Sequence, residues 1–227
     1  MKLDFTIDAA AGRHSLQVDI QQLVVAGWAG RDRDAIEHHI EELAAIGVPR
    51  PSAVPLYYRV AVNQLTQDES VQVVGGESSG EAEVFVFTVA GELYVSVASD
   101  HTDRKLESHS VALSKQLCVK PVARTAWRFA DVADHWDELQ LRSRIVEGGV
   151  VVPYQNGTLA SLRTPGDLIQ GYGAGGTLGE GIGMLCGTVA VIGGIRPATV
   201  FEMELTDPRS GRSIRHRYTQ AILPAVA

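Results

Sequence analysis

The stretch Gly80-Glu81-Ala82-Glu83-Val84-Phe85-Val86-Phe87-Thr88-Val89, the step Ala90-Gly91, and the return Glu92-Leu93-Tyr94-Val95-Ser96-Val97-Ala98-Ser99-Asp100 decide how this chain folds. Both runs are dense in β-branched and aromatic residues, which fit a pleated surface. Side chains alternate between faces along a strand, so Glu81 and Glu83 point the same way. If Ala90-Gly91 is a two-residue hairpin loop, paired residue numbers sum to a constant. Val89 then lies opposite Glu92, Glu83 opposite Ala98, and Glu81 opposite Asp100. Three carboxylates converge on one patch of sheet, which is destabilising unless a cation lies among them. A hard divalent ion meets that need, because all-oxygen sites suit magnesium, calcium or manganese. A three-residue loop would instead turn Asp100 to the other face.

Outward from this hairpin, 227 residues suffice for one large domain with a buried core, and a single domain is the expectation. With 20 Lys+Arg against 27 Asp+Glu, the net charge is −7, and no basic block is present. That balance argues against a nucleic-acid or anionic-membrane partner and points to a small ligand. Cys118 and Cys186 match no metal or disulfide spacing and read as buried, unreactive thiols of a reducing cytoplasm. Met1-Lys2-Leu3-Asp4-Phe5 lacks a basic stretch followed by an apolar core, so a cytoplasmic location is expected. The apolar run from Gly181 to Ile195 is Gly-rich and too short for a membrane span.

The rest of the chain reads as mostly β. Residues 3–7 and 15–25 carry strand-type alternation, and further strands are expected at 56–62, 70–74, 127–129, 144–146, 150–153, 183–191, 199–206 and 214–220. The clearest helix starts at Asp32 or Asp34, repeats Ile36, His39, Ile40 and Leu43, and ends at Gly47 before Pro49. Short helices are expected at 106–117, 132–139 and 164–170. Many strands with few helices predict an α+β, mostly β fold, a mixed sandwich or roll rather than a wound βαβ sheet.

Two motifs are set aside on context. Gly76-Glu77-Ser78-Ser79-Gly80 fits G-x-S-x-G, but a nucleophile elbow needs a helix directly after the serine, and here a strand follows. Ser78 and Ser79 read instead as a polar hairpin turn. Gly171-Tyr172-Gly173-Ala174-Gly175-Gly176 fits G-x-G-x-x-G, yet it follows a helix and opens none, so a pyrophosphate has no helix N-terminus to rest on.

His39 and Glu42 stand one helical turn apart, close enough to couple as an acid–base pair. Taken alone, a core histidine beside a solvated glutamate is the commoner outcome. Order and spacing change the weighing. Val25-Ala26-Gly27-Trp28, His39-Ile40-Glu41-Glu42-Leu43, Pro49, Pro51, Pro55-Leu56-Tyr57-Tyr58, Glu81-Ala82-Glu83, Ser99-Asp100-His101-Thr102-Asp103-Arg104, Lys115 and Gly187-Thr188 follow one another as landmarks. In that order they resemble the fumarylacetoacetate hydrolase superfamily, over about residues 25–205. The chain departs from the pattern at Ser99 for asparagine, Ile182 for an acid and Val189 for a proline.

The resemblance implies a fumarylacetoacetase-type roll, with residues 1–24 as N-terminal strands and 25–227 as the catalytic part. It also implies that Glu81, Glu83 and Asp100 hold one Mg²⁺, Mn²⁺ or Ca²⁺, which stabilises an enolate from a small 2-oxoacid or 1,3-dicarbonyl. His39 oriented by Glu42 would activate a water, and Lys115 would neutralise developing charge. Gly187 and Thr188 would hold the far end of the substrate, and Arg104 would support the carboxylates at the substrate-binding rim. The implied activity is C–C bond hydrolysis of an acylpyruvate, with decarboxylation, hydration, tautomerisation or a non-catalytic relative as alternatives. A homodimer is the implied assembly.

Overall fold

A computed structural model describes residues 1–9, 12–45, 50–173 and 175–226. Within these lie seventeen strands: β1 Lys2–Ala9, β2 Gly12–Asp19, β3 Gln22–Gly27, β4 Leu56–Val60, β5 Leu65–Thr66, β6 Ser70–Val74, β7 Ser78–Ser79, β8 Ala82–Val89, β9 Glu92–Ser99, β10 Thr102–Asp103, β11 Lys120–Pro121, β12 Thr125–Arg128, β13 Gln140–Glu147, β14 Val150–Thr158, β15 Ile182–Thr188, β16 Val200–Thr206 and β17 Ser213–Leu223. The helices are α1 Arg33–Ala45, α2 Arg104–Glu107, α3 Val111–Leu117 and α4 Pro165–Gly171, with short 3₁₀ turns between strands. The mostly β, α+β architecture expected from the sequence is the one observed. No helix among the described residues is long and apolar enough to cross a membrane.

An eight-stranded mixed sheet runs β2-β1-β12-β9-β8-β15-β3-β4, and a five-stranded sheet runs β14-β13-β16-β17-β6. Two small ladders, β10 with β7 and β11 with β5, lie beside them. The larger sheet is covered on both faces. From β8, Val84 and Val86 pack into the core shared with Trp127, Leu141, Phe201, Met203 and Tyr218, while Phe85 and Phe87 pack with Leu3, Phe5, Ile7 and Leu23. Burial on two sides explains why β8 reads as a continuous apolar run from Val84 to Phe87 after Glu83. Each fully buried phenylalanine contributes roughly 2–3 kcal/mol.

Three local expectations need correction. The single strand expected over 15–25 is two strands, separated where the Gln21 and Gln22 amides turn to donate to Gly181 O. The helix expected over 106–117 is two, because the Ser110 hydroxyl accepts from the Leu113 amide and starts α3 afresh. Ser78 and Ser79 form no polar turn: both are buried in β7, antiparallel to β10 with Ser79 opposite Thr102. That short ladder lies just before Glu81 and just after Asp100, and so clamps both ends of the hairpin. For α1, Asp32 is the cap, its Oδ1 accepting from the amides of Asp34 and Ala35 at 3.0 Å each. Its expected stop at Gly47 lies outside the described residues.

Candidate metal centre

The hairpin takes the two-residue loop. Ala90 (φ 52°) and Gly91 (φ 76°) both adopt the left-handed conformation of a type I′ turn. Val89 then pairs with Glu92 and Glu83 with Ala98, and the Asp100 amide donates to Glu81 O at 2.9 Å. The Glu81, Glu83 and Asp100 side chains therefore share a face. Each offers an oxygen, and the three lie within 4.8 Å of one another. Oxygens bound to one hard cation at about 2.0–2.6 Å can be up to ~5 Å apart, so the donor set fits such an ion in chemistry and in span.

Each carboxylate has its own environment. Glu83 is buried, and its Oε2 accepts from the Gly187 amide at 2.8 Å. Burial, reinforced by the Asp100 charge, pushes the Glu83 carboxyl well above its ordinary range, with Lys115 opposing. The Gly187 contact comes from a bulge in β15: Leu185 pairs with Phe85, but Thr188 pairs with Glu83, so one extra residue is accommodated there. Gly187 makes it with φ 89°, and a Cβ would come within 2.6 Å of the Ala29 methyl.

Asp100 is wholly enclosed. Burial pushes its carboxyl up, but Lys115 and Lys120 outweigh that and hold it at about 2. Lys115, in α3, is hydrogen-bonded to Asp100 Oδ2, and its Nζ lies 5.6 Å from the centre of the Tyr58 ring. Burial lowers the Lys115 ammonium, and the surrounding acids, Asp100 first, reverse this and raise it. Lys120 Nζ lies 3.2 Å from Asp100 Oδ1 and donates to the carbonyls of Lys115, at 2.6 Å, and of His101. Glu81, nearer the surface, faces Arg104 Nη2 at 3.2 Å. Arg104 is fixed in turn by Nε donating to Ser79 Oγ at 2.7 Å and Nη1 to Glu107 Oε2 at 2.9 Å.

A neutral hydrogen-bonded floor underlies the acids. The Tyr218 hydroxyl, from β17, meets Ser99 Oγ at 2.9 Å and His101 Nδ1 at 2.8 Å. Burial, with Lys120 and Arg104 nearby, drives the His101 imidazole down to about 3, so the ring is neutral. Gly80 makes room for the phenol, since a Cβ there would lie 2.5 Å from Tyr218 Oη. Ser99, where the resembled pattern has asparagine, uses the same oxygen to accept from the Glu81 amide at 3.3 Å.

Six of the nine residues singled out in the sequence thus come together: Glu81, Glu83, Asp100, Arg104, Lys115 and Gly187. Thr188 lies beside them, its hydroxyl donating to Ala82 O at 2.7 Å and accepting from Gln155. His39 and Glu42 occupy α1, but their side chains lie outside the described residues. Lys120 and the Gly80–Tyr218 contact carry no mark in the sequence reading, and Tyr58 enters only as the end of the Pro55-Leu56-Tyr57-Tyr58 landmark. For Lys120 a signal existed: it is a lone charge in Leu117-Cys118-Val119-Lys120-Pro121-Val122-Ala123, and an isolated charge in a buried run must find a partner.

The layered sheets that carry the acid-lined hairpin have a fold shared with several solved structures. Cg1458 superposes with a TM-score of 0.62 at 14% identity, over 92% of this chain and 78% of that one. 2-Keto-3-deoxy-D-arabinonate dehydratase complexed with magnesium and 2,5-dioxopentanoate gives 0.62 at 13% identity, over 90% and 75%. 4-Oxalocrotonate decarboxylase from Pseudomonas putida G7, complexed with magnesium and adipate, gives 0.55 at 15% identity, over 90% and 78%. Comparison with curated proteins yields no match. The chain belongs to the family described as "Protein of unknown function (DUF2848)", which matches residues 26–218.

Proposed function

We propose that this chain is a divalent-metal-dependent enzyme that processes small 2-oxoacids or 1,3-dicarbonyl acids through an enolate, with elimination or decarboxylation as the reaction. The observation that carries this reading is the convergence of Glu81, Glu83 and Asp100 within 4.8 Å on a buried patch flanked by Lys115. Glu81, Glu83 and Asp100 would hold Mg²⁺ or a similar ion, which when bound supplies a Lewis acid for the carbonyl oxygen. The remaining steps fall to the protein. Lys115 offers an ammonium to an anionic substrate group, and the Gly187 amide fixes the orientation of Glu83. Arg104 keeps Glu81 in place from behind. Structural relatives whose names are those of a dehydratase and a decarboxylase support elimination and decarboxylation ahead of hydrolysis.

C–C hydrolysis is the second reading. It is favoured by positions 39 and 42, one turn apart in α1, where a His–Glu pair would activate the attacking water. Titration calorimetry with Mg²⁺ and oxalate, an enolate mimic, tests the common ground: binding of oxalate that requires Mg²⁺ is expected, and metal-independent or absent binding sinks both readings. A panel of 2-oxoacids assayed with His39→Ala then separates them. Elimination and decarboxylation survive the substitution, whereas hydrolysis is lost.

A further inference from the structure

Lys115 and Lys120 approach the same carboxylate from two sides, yet they are held very differently. An ammonium has three N–H donors. Lys120 donates to two oxygens, the carbonyls of Lys115 and His101, ion-pairs with Asp100 Oδ1 at 3.2 Å, and its side chain is 0% exposed. Lys115 has one oxygen partner among the described residues, Asp100 Oδ2, and keeps 8% of its side chain in contact with solvent beside Tyr58. Lys115 is hydrogen-bonded to Asp100 Oδ2, whereas Oδ1 has the Lys120 charge at 3.2 Å and no hydrogen bond among the described residues. An ion that ligates Asp100 together with Glu81 and Glu83 sets a further positive charge against these two ammonium groups, and withdrawal of one of them relieves the repulsion. Freeing Lys120 strips an enclosed ammonium of three oxygens at once, whereas freeing Lys115 breaks one contact on the side that opens to water.

We infer that Lys115 is a stand-in for the metal: it neutralises Asp100 while the ion is absent, leaves when the ion arrives, and only then has its ammonium free for an anionic ligand. Lys120 stays in both states as the permanent counter-charge that positions Asp100. This rests on the metal-dependent reading above and adds an order to it, cation first and anion second. A dianion such as oxalate then restores the charge that the incoming ion has upset.

Lysine reactivity tests the inference without any assay of catalysis. The intact protein is reductively methylated under three conditions, metal-free, with saturating Mg²⁺, and with Mg²⁺ plus oxalate, and the peptides carrying Lys115 and Lys120 are quantified by mass spectrometry. Lys115 should react severalfold faster with Mg²⁺ and become protected again with oxalate, while Lys120 stays unmodified throughout. An unchanged Lys115 rate in protein that calorimetry shows to be Mg²⁺-loaded overturns the exchange and leaves the metal site standing. Absence of Mg²⁺ binding removes both. Modification of Lys120 in place of Lys115 reverses the assignment and so refutes it. Lys115→Met, with no cation to expel, should bind Mg²⁺ more tightly than the wild type, and weaker binding would count against displacement.

Discussion

Opposed charges gather both around Asp100 and across the outer face of the five-stranded sheet, and the two clusters are built differently. On that outer face Glu202 pairs with Arg217 at 3.1 Å, and Glu204 with Arg215 at 2.6 Å and Arg144 at 3.7 Å. These residues line a groove of about 310 Å³. The arginines there remain largely in water, where a pair contributes only about 0.2–1 kcal/mol. Around Asp100 the groups are enclosed, and taking each ion out of water costs several kcal/mol that geometry must return. A sheet surface acquires ion pairs for solubility and register at little expense. An enclosed set of three acids and three cations persists only if the arrangement is put to use, and that contrast, rather than cavity size, directs attention to the hairpin.

The sharpest way to break the comparison is to remove one charge from each cluster. Asp100→Asn strands two ammonium groups, and chemical denaturation should register a loss of about 3–5 kcal/mol, with metal binding abolished. Glu83→Ala should behave otherwise. Because its carboxyl is already penalised by burial and by Asp100, the metal-free protein should keep or gain stability while calorimetry finds no Mg²⁺ binding. A variant that retains full metal affinity would remove the hairpin from consideration as a metal centre. Gly187→Ala should cost about 1–3 kcal/mol through overpacking against Ala29 and should weaken metal binding by turning Glu83.

A third cluster sharpens the contrast through pH. His135 lies between Asp134, at 2.5 Å, and the buried Asp207, at 3.0 Å. The hydrogen bond to Asp134, aided by Asp207 against burial, raises its imidazole. A raised value means that the folded protein holds this proton more tightly than the unfolded chain. The stabilisation is therefore complete below the ordinary histidine value of about 6.5 and fades as pH climbs through the raised one. Thermal melts of wild type and His135→Gln should differ most below about pH 6.5 and converge as pH rises above it. The smallest effect belongs to the outer ladder: Glu202→Gln should shift stability by less than about 0.5 kcal/mol and leave metal affinity untouched.

Much of the hairpin was legible because its information is local. Alternation set the face of Glu81 and Glu83, and the two-residue option for Ala90-Gly91, which the structure takes over the three-residue one, brings in Asp100. What escaped depends on pairings distant in sequence. Nothing near Ser78 announces that it pairs with Asp103 in β10, so a short polar run passed for a turn. The break between β2 and β3 is imposed by Gly181, some 160 residues on, whose carbonyl captures two amides. Lys120 shares an apolar stretch whose pattern says only that it is buried, and the carbonyls that receive it belong to another turn of chain. Gly80 looked like loop punctuation, although its missing side chain admits a tyrosine from the opposite sheet.

That tyrosine has a consequence for how the protein matures. Tyr218 belongs to β17, which is also the strand that recruits β6 in parallel through Thr219–Ser70 and its neighbours. A nascent chain leaving the ribosome can close the Glu81–Asp100 hairpin early, but it has no Tyr218 to set beneath Ser99 and His101 until β17 emerges. The acids are therefore synthesised well before the tyrosine that braces Ser99 and His101 beside them.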